Sequence, residues 1–139
     1  MARKRLHRLS SLFFRAATQR RDEARFLLAK STFTTASIYL AGYAVECALK
    51  ALLLRSESPS QNKTSVVTFR GQAAHNYDWL KHELAKRSVG IPSDIVRLIA
   101  KVNWWGTEMR YQTRQVERRV AEEFLKSVDA IIEWVQGRF

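Results

Sequence analysis

The stretch "YLAGYAVECALKALLL", residues 39–54, is apolar on nearly every face of a helix, yet it carries Glu46 and Lys50 near its middle. Three structures are compatible with such a stretch: a membrane span, the core helix of a bundle, or the wall of a functional site. A charged residue at the centre of a lone span costs about 2.5–3.5 kcal/mol. Here there are two, four residues apart and ordered Glu then Lys, the arrangement that favours a pair on one helix face. The neighbouring segments are amphipathic and need an apolar partner. The stretch therefore predicts the central helix of a soluble bundle, over about 35–55, and no membrane span.

Working outward, Leu12, Phe13, Ala17, Ala24, Leu27 and Leu28 recur at helical spacing and predict a helix over about 10–30. "STFTT", residues 31–35, connects it to the central helix. Ser, Pro, Asn and Gly dominate residues 56–74, which predict a long loop. A short helix follows over about 76–87, with Trp79, Leu80 and Leu84 inward. After the turn "SVGIPS", Ser93 is placed to cap a fourth helix carrying Ile95, Leu98, Ile99, Val102 and Trp105. Gly106 interrupts the pattern. A last helix is predicted over about 114–136, with Val116, Val120, Phe124, Val128, Ile131 and Val135 as its stripe and Gly137 as its cap. Apart from "SVVTF" in the loop there is no strand-like alternation. The expectation is an all-α, up-and-down bundle of about five helices in a single domain spanning 1–139.

The chain of 139 residues has 24 Lys and Arg against 13 Asp and Glu, a formal net charge of +11. The excess is uneven. Residues 1–30 hold nine basic and two acidic residues, a net of +7, whereas residues 110–139 hold six and five, a net of +1. Residues 1–9 are a basic segment, and the imbalance implies a polyanionic partner, an acidic protein or an anionic membrane surface. The acid-free, Arg-rich residues 1–21 share features with a transit peptide, but the helical pattern runs on past Arg21. The single cysteine, Cys47, excludes an intramolecular disulfide and suits a reducing, cytoplasmic setting. No histidine pair shares a metal-ligand spacing with a carboxylate, so neither a metal nor another cofactor is expected.

"DEARFLLAKSTFTTASIYLAGYAVECALKALLL" resembles the first two helices of HEPN-domain proteins (higher eukaryotes and prokaryotes nucleotide-binding). Asp22, Ala24, Ala36 and the run from Ala44 through Glu46, Lys50 and Leu52 fall on that family's pattern. "HNYDWL" is similar to the His-Asp-Leu opening of its third helix, and "MRYQ" to the Arg-Tyr-Pro before its last, with Gln112 in place of proline. The resemblance implies a helical bundle that dimerises and works around nucleotides or RNA. It also implies settings such as toxin–antitoxin or defence systems and partners such as small nucleotidyltransferases. Catalytic members carry Arg, four to six residues, then His, near the start of the last helix. There His moves a proton and Arg stabilises the phosphate. Arg110 matches that Arg, but no histidine follows it.

Candidate site residues follow from these readings. Arg110 and Tyr111 are placed to hold a phosphate and stack on a base, or else to pin the last helix to the bundle. Glu46 and Lys50 line a groove or lock helix register. His75 binds a ligand or caps the third helix; His7 and His82 read as surface residues. Arg70 and His75 have the catalytic spacing, but in the loop and not where the family places it. Glu122 and Lys126 are spaced as an ion pair, and of the adjacent Trp104 and Trp105 only one can face the core. The leading expectation is an RNA- or nucleotide-phosphate-binding homodimer without a working nuclease. The alternatives are a protein-interaction subunit, and a ribonuclease using Arg70 and His75 or Arg110 with another base.

Overall fold

The computed structural model describes residues 2–57, 69 and 71–139. Five α-helices are present among them: α1 (Ala2–Lys30), α2 (Thr34–Ser56), α3 (Tyr77–Lys86), α4 (Ser93–Val102) and α5 (Arg118–Gln136). Two 3₁₀ turns, Gln72–His75 and Thr107–Tyr111, precede α3 and follow α4. No strand occurs among the described residues. The predicted all-α bundle is the observed architecture.

α2 is the axis. α1 runs antiparallel along it, α5 runs parallel to it, and α3 covers a third side. The α1–α2 seam is built from small residues, Ala17, Ala24, Ala41, Ala44, Ala48 and Ala51, all fully buried. Such residues let the backbones approach closely enough for two cross-helix bonds. Ser10 donates to the Ala51 carbonyl at 2.9 Å, and Ser37 donates to the Ala24 carbonyl at 2.8 Å. Thr34–Ser56 is long and apolar enough to cross a membrane by length and composition, but 78% of its most apolar window is buried inside the bundle. It is the core helix that its neighbours' amphipathic faces require.

Several element boundaries differ from expectation. α1 begins at Ala2, so the basic segment is helical, and Leu12 is 53% exposed rather than inward. Ser56 closes α2 and residues 72–75 form a turn, so the predicted loop is shorter at both ends. Pro92, not Ser93, is the cap residue of α4, without a side-chain bond, and α4 ends at Val102, short of Trp105. Trp79 is only partly buried, and Tyr77 takes an inward place with Leu80 and Leu84. α5 starts at Arg118, and Val116 lies before it in a non-helical segment. Val120 points outward at 36% exposure. Gly137 sits at the α5 C-cap with φ −65°, a conformation open to any residue. Glu122 and Lys126 form no ion pair within 4 Å.

The late start of α5 has a clear cause. The hydroxyls of Thr34 and Thr35 donate to the Val116 and Arg114 carbonyls, both at 2.6 Å. In return the Gln115 side-chain oxygen accepts from the Thr35 amide at 3.2 Å. Segment 114–116 thereby supplies partners at the α2 N-terminus, whose own N-cap, Phe33, offers none. Those bonds hold it out of the helix.

Candidate functional site

The middle of α2 presents Tyr39, Tyr43, Glu46 and Lys50, a polar ladder at helical spacing on an otherwise apolar helix. Glu46 and Lys50 are 4% and 5% exposed. One Glu46 oxygen accepts from Lys50 Nζ at 3.1 Å, and the other contacts His75 Nδ1 at 2.8 Å. Both lone-pair sides of the carboxylate are thus engaged, which is what a buried charge requires. Lys50 also lies 5.2 Å above the Phe69 ring. The pair is therefore neither a bare groove wall nor a sealed core pair. It is buried behind His75, whose side chain is 40% exposed.

A carboxylate at Nδ1 holds the proton there and turns Nε2 outward. The imidazole packs edge-on to Tyr43, with ring centroids 6.4 Å apart. His75 does not cap α3. That task falls to Asn76, whose side-chain oxygen accepts from the Asp78 and Trp79 amides at 2.8 and 3.1 Å. His7 and His82 are exposed, with His7 against Arg55. Arg70 lies outside the described residues.

An aromatic block supports this face. The buried Trp105 stacks on Tyr77 with centroids 5.5 Å apart and meets Tyr43 edge-on at 4.9 Å. Its indole N–H donates to the Tyr39 carbonyl at 3.1 Å. The indole passes so close to α2 that only Gly42 fits beneath it: a Cβ there would lie 2.1 Å from Nε1. Trp104 turns the other way, 50% exposed, edge-on to Phe124. Burial raises the Tyr43 hydroxyl well above the ordinary phenol value. The Tyr39 hydrogen bond and the Glu46 charge add to the rise, and Arg110 opposes it. Burial, with Glu46, also pushes the Cys47 thiol up to about 11, so the cysteine is a poor nucleophile.

Arg110 ends the turn after Gly106. Its guanidinium sits 4.9 Å from the Tyr111 ring centroid, and Tyr111 is 73% exposed. The Tyr111 hydroxyl, and behind it that of Tyr39, favour the charged guanidinium. No carboxylate lies within 4 Å of Arg110 among the described residues. The ladder Tyr39–Tyr43 thus connects the Arg110 end of the face to the His75 end. Beside His75 opens a polar cleft of about 270 Å³, lined by Asn76, Asp78, Asn103, Gly106 and Glu108 among others. Asp78 is held below the usual carboxylate range by Lys81 and by its bond from Asn103.

The positions where a catalytic relative carries its histidine, with four to six residues between it and Arg110, are Gln115, Val116 and Glu117. Gln115 and Val116 belong to the segment bonded to Thr34 and Thr35. Glu117 is the N-cap residue of α5. Sequence reasoning singled out Arg110, Tyr111, His75, Glu46 and Lys50. It missed Tyr39, Tyr43 and Trp105, although two tyrosines four apart on an apolar helix are a detectable sign. Asp78, Asn103 and Glu108 of the cleft had no such sign. Among the described residues, no group of three or more His, Cys, Asp or Glu is arranged to hold a metal ion.

The fold and this face define an all-α bundle whose central helix carries a buried Glu–Lys pair facing the histidine before the third helix. The HEPN domain family model matches residues 10–138, and the chain belongs to that family. No curated protein and no solved structure matched the chain.

Proposed function

We propose that this HEPN-domain protein binds RNA or nucleotide phosphate on the face of His75, Arg110 and Tyr111, and that it does so without acting as a ribonuclease. Membership of the family points to a nucleotide- or RNA-related role. The observation that carries the finer reading is Arg110: a guanidinium with no carboxylate within 4 Å among the described residues, laid on an exposed tyrosine ring. Guanidinium and ring together offer a phosphate fork and a stacking surface side by side. Arg110 meets the phosphate, Tyr111 takes a base, and His75 contributes Nε2 from the far end of the ladder. Glu46 and Lys50 act from behind by holding His75 in place. Cleavage is left out because no histidine stands at the three positions where the family's motif would place it: Gln115 and Val116 are bonded to the start of α2, and Glu117 is the N-cap residue of α5. The reading takes the chain as a cytoplasmic homodimer in a toxin–antitoxin or defence setting, with a nucleotidyltransferase-like protein as a further partner.

The test is fluorescence anisotropy with a labelled single-stranded RNA across a salt series, paired with denaturing gels. Wild type should bind with strong salt dependence, and Arg110→Ala should weaken binding by about tenfold, close to one charge-assisted contact. The gels should show intact RNA. Equal affinity of wild type and Arg110→Ala would remove the site. Cleavage lost in Arg110→Ala would restore the nuclease reading. No binding at low salt would move the search to an acidic protein partner.

A further inference from the structure

The arginines of α1 divide sharply along its length. In the second half, Arg20 pairs with Glu23, Arg21 with Asp22 and Asp129, and Arg25 with Asp129 at 2.7 Å. In the first half, Arg3, Lys4, Arg5, Arg8 and Arg15 are all exposed. No carboxylate lies within 4 Å of any of them among the described residues, and no acid occurs before Asp22. The inward face of this half-helix is occupied by Leu6, Ser10 and Ala17, buried against the bundle. The charged face is therefore held outward on a fixed helix. Lys4, Arg8 and Arg15, spaced by four and seven residues, stand in one line about 16 Å long at 1.5 Å per residue. Elsewhere among the described residues the exposed cations without a carboxylate within 4 Å are spread over several elements, as are Lys30, Lys101, Arg114 and Arg138, or share a helix stretch with acids, as do Arg97 with Asp94 on α4 and Arg119 and Lys126 with Glu122 and Glu123 on α5.

We infer that the outer face of the first half of α1 is a second nucleic-acid surface, a track for the sugar-phosphate backbone of the RNA whose other contact is Arg110. This rests on the RNA-binding reading above. The line of Lys4, Arg8 and Arg15, with Arg3 and Arg5 on its flanks, suits phosphates, because the guanidinium fork matches a phosphate's oxygens. It does not suit a bilayer, because the exposed face of this half-helix offers Leu12 as its only large apolar side chain. Contacts of this kind carry affinity and salt dependence but no sequence preference.

The experiment compares wild type, Lys4→Gln/Arg8→Gln/Arg15→Gln, Arg110→Ala and the quadruple variant in the anisotropy salt series. Two RNAs of unrelated sequence serve as probes. Circular dichroism checks that each variant keeps its helix content and melting point. Three lost phosphate contacts on a single strand should lower the salt slope by about 2, at ~0.7 each. Affinity at 0.1 M salt should fall about a hundredfold, with the curves converging near 1 M. The loss should be the same on both RNAs and should add to that of Arg110→Ala. An unchanged slope in the triple variant, while Arg110→Ala still weakens binding, would overturn the track and leave the Arg110 site standing. The reverse pattern would retain the track and remove that site. A loss confined to one RNA would make the surface a base reader and overturn the inference. So would wild-type binding to phosphatidylserine vesicles in place of RNA.

Discussion

Replacing Glu46 by Leu tests the buried pair directly. Leu has a similar volume, so little cavity is made, but Lys50 is left 5% exposed with its one carboxylate partner removed. Its remaining neighbour is the Phe69 ring at 5.2 Å, which does not replace an ion pair. Breaking one side of a buried pair costs about 3–5 kcal/mol. Lys50→Met should cost less, about 1–3 kcal/mol, because Glu46 keeps its contact with His75 Nδ1 at 2.8 Å. The double variant Glu46→Leu/Lys50→Met removes both charges and should return to within about 1 kcal/mol of wild type. The cycle thus carries a large favourable coupling between the two lesions. Urea unfolding followed by far-ultraviolet circular dichroism measures all four proteins. Two outcomes would refute the reasoning. A cost under about 1 kcal/mol for Glu46→Leu would mean that Lys50 reaches water. A double variant as unstable as the single would put the cost in packing, not charge.

Three further outcomes follow from single contacts. Gly42→Ala should destabilise by about 1–3 kcal/mol, since its Cβ would meet the Trp105 indole at 2.1 Å; thermal melts and a shifted tryptophan emission report it. Asn76→Ala removes the acceptor for the Asp78 and Trp79 amides and should cost about 1 kcal/mol in the same melts. The Cys47 thiol, raised from 9.0 to about 11, contributes stability that is fully present below pH 9 and lost as pH rises through 11. The fall in unfolding free energy between pH 9 and 11 should therefore be smaller in Cys47→Ala than in wild type, by roughly 2 kcal/mol. An equal fall in both proteins would contradict the thiol's burial.

Much of the fold can be read from the chain because apolar periodicity and burial coincide. Ala17, Ala24, Leu80, Leu84, Phe124, Val128 and Ile131 lie where their spacing puts them. The errors share one cause, contacts between segments distant in sequence. Residues 114–117 continue a helical pattern, but Thr34 and Thr35, some eighty residues earlier, bind the Val116 and Arg114 carbonyls and hold the segment out of the helix. Residues 2–9 lack a long apolar run, yet Leu6 and Ser10 suffice to seat them on α2. The same holds for the site. Glu46, Lys50, His75 and Arg110 stand out as charges in unusual places. Their connection through Tyr39, Tyr43 and Trp105 exists only once α2 and the turn after α4 are packed together.

Net charge likewise becomes informative only when each cation is assigned a partner. A charge of +11 says that a polyanion is a plausible ligand, not where it binds. Arg87 is engaged by Glu57 and Glu83, and Arg118 donates to the Ser31 carbonyl at 2.9 Å at the C-terminal end of α1, where a helix leaves carbonyls unsatisfied. These two, with Arg21 and Arg25 against Asp129, tie elements of the bundle to one another, and Arg20 is engaged by Glu23 within α1. Among the described residues, the exposed cations that remain without an acid within 4 Å include five on the first half of α1, and Arg110 against an exposed tyrosine ring. Arg110 differs from its near neighbour Arg118 in one respect that matters for function. The guanidinium of Arg118 is directed at backbone carbonyls that need it, whereas that of Arg110 lies against the exposed Tyr111 ring with only tyrosine hydroxyls to favour its charge. The fold uses the first for its own stability, and only the second can exchange water for phosphate without taking a bond from the bundle.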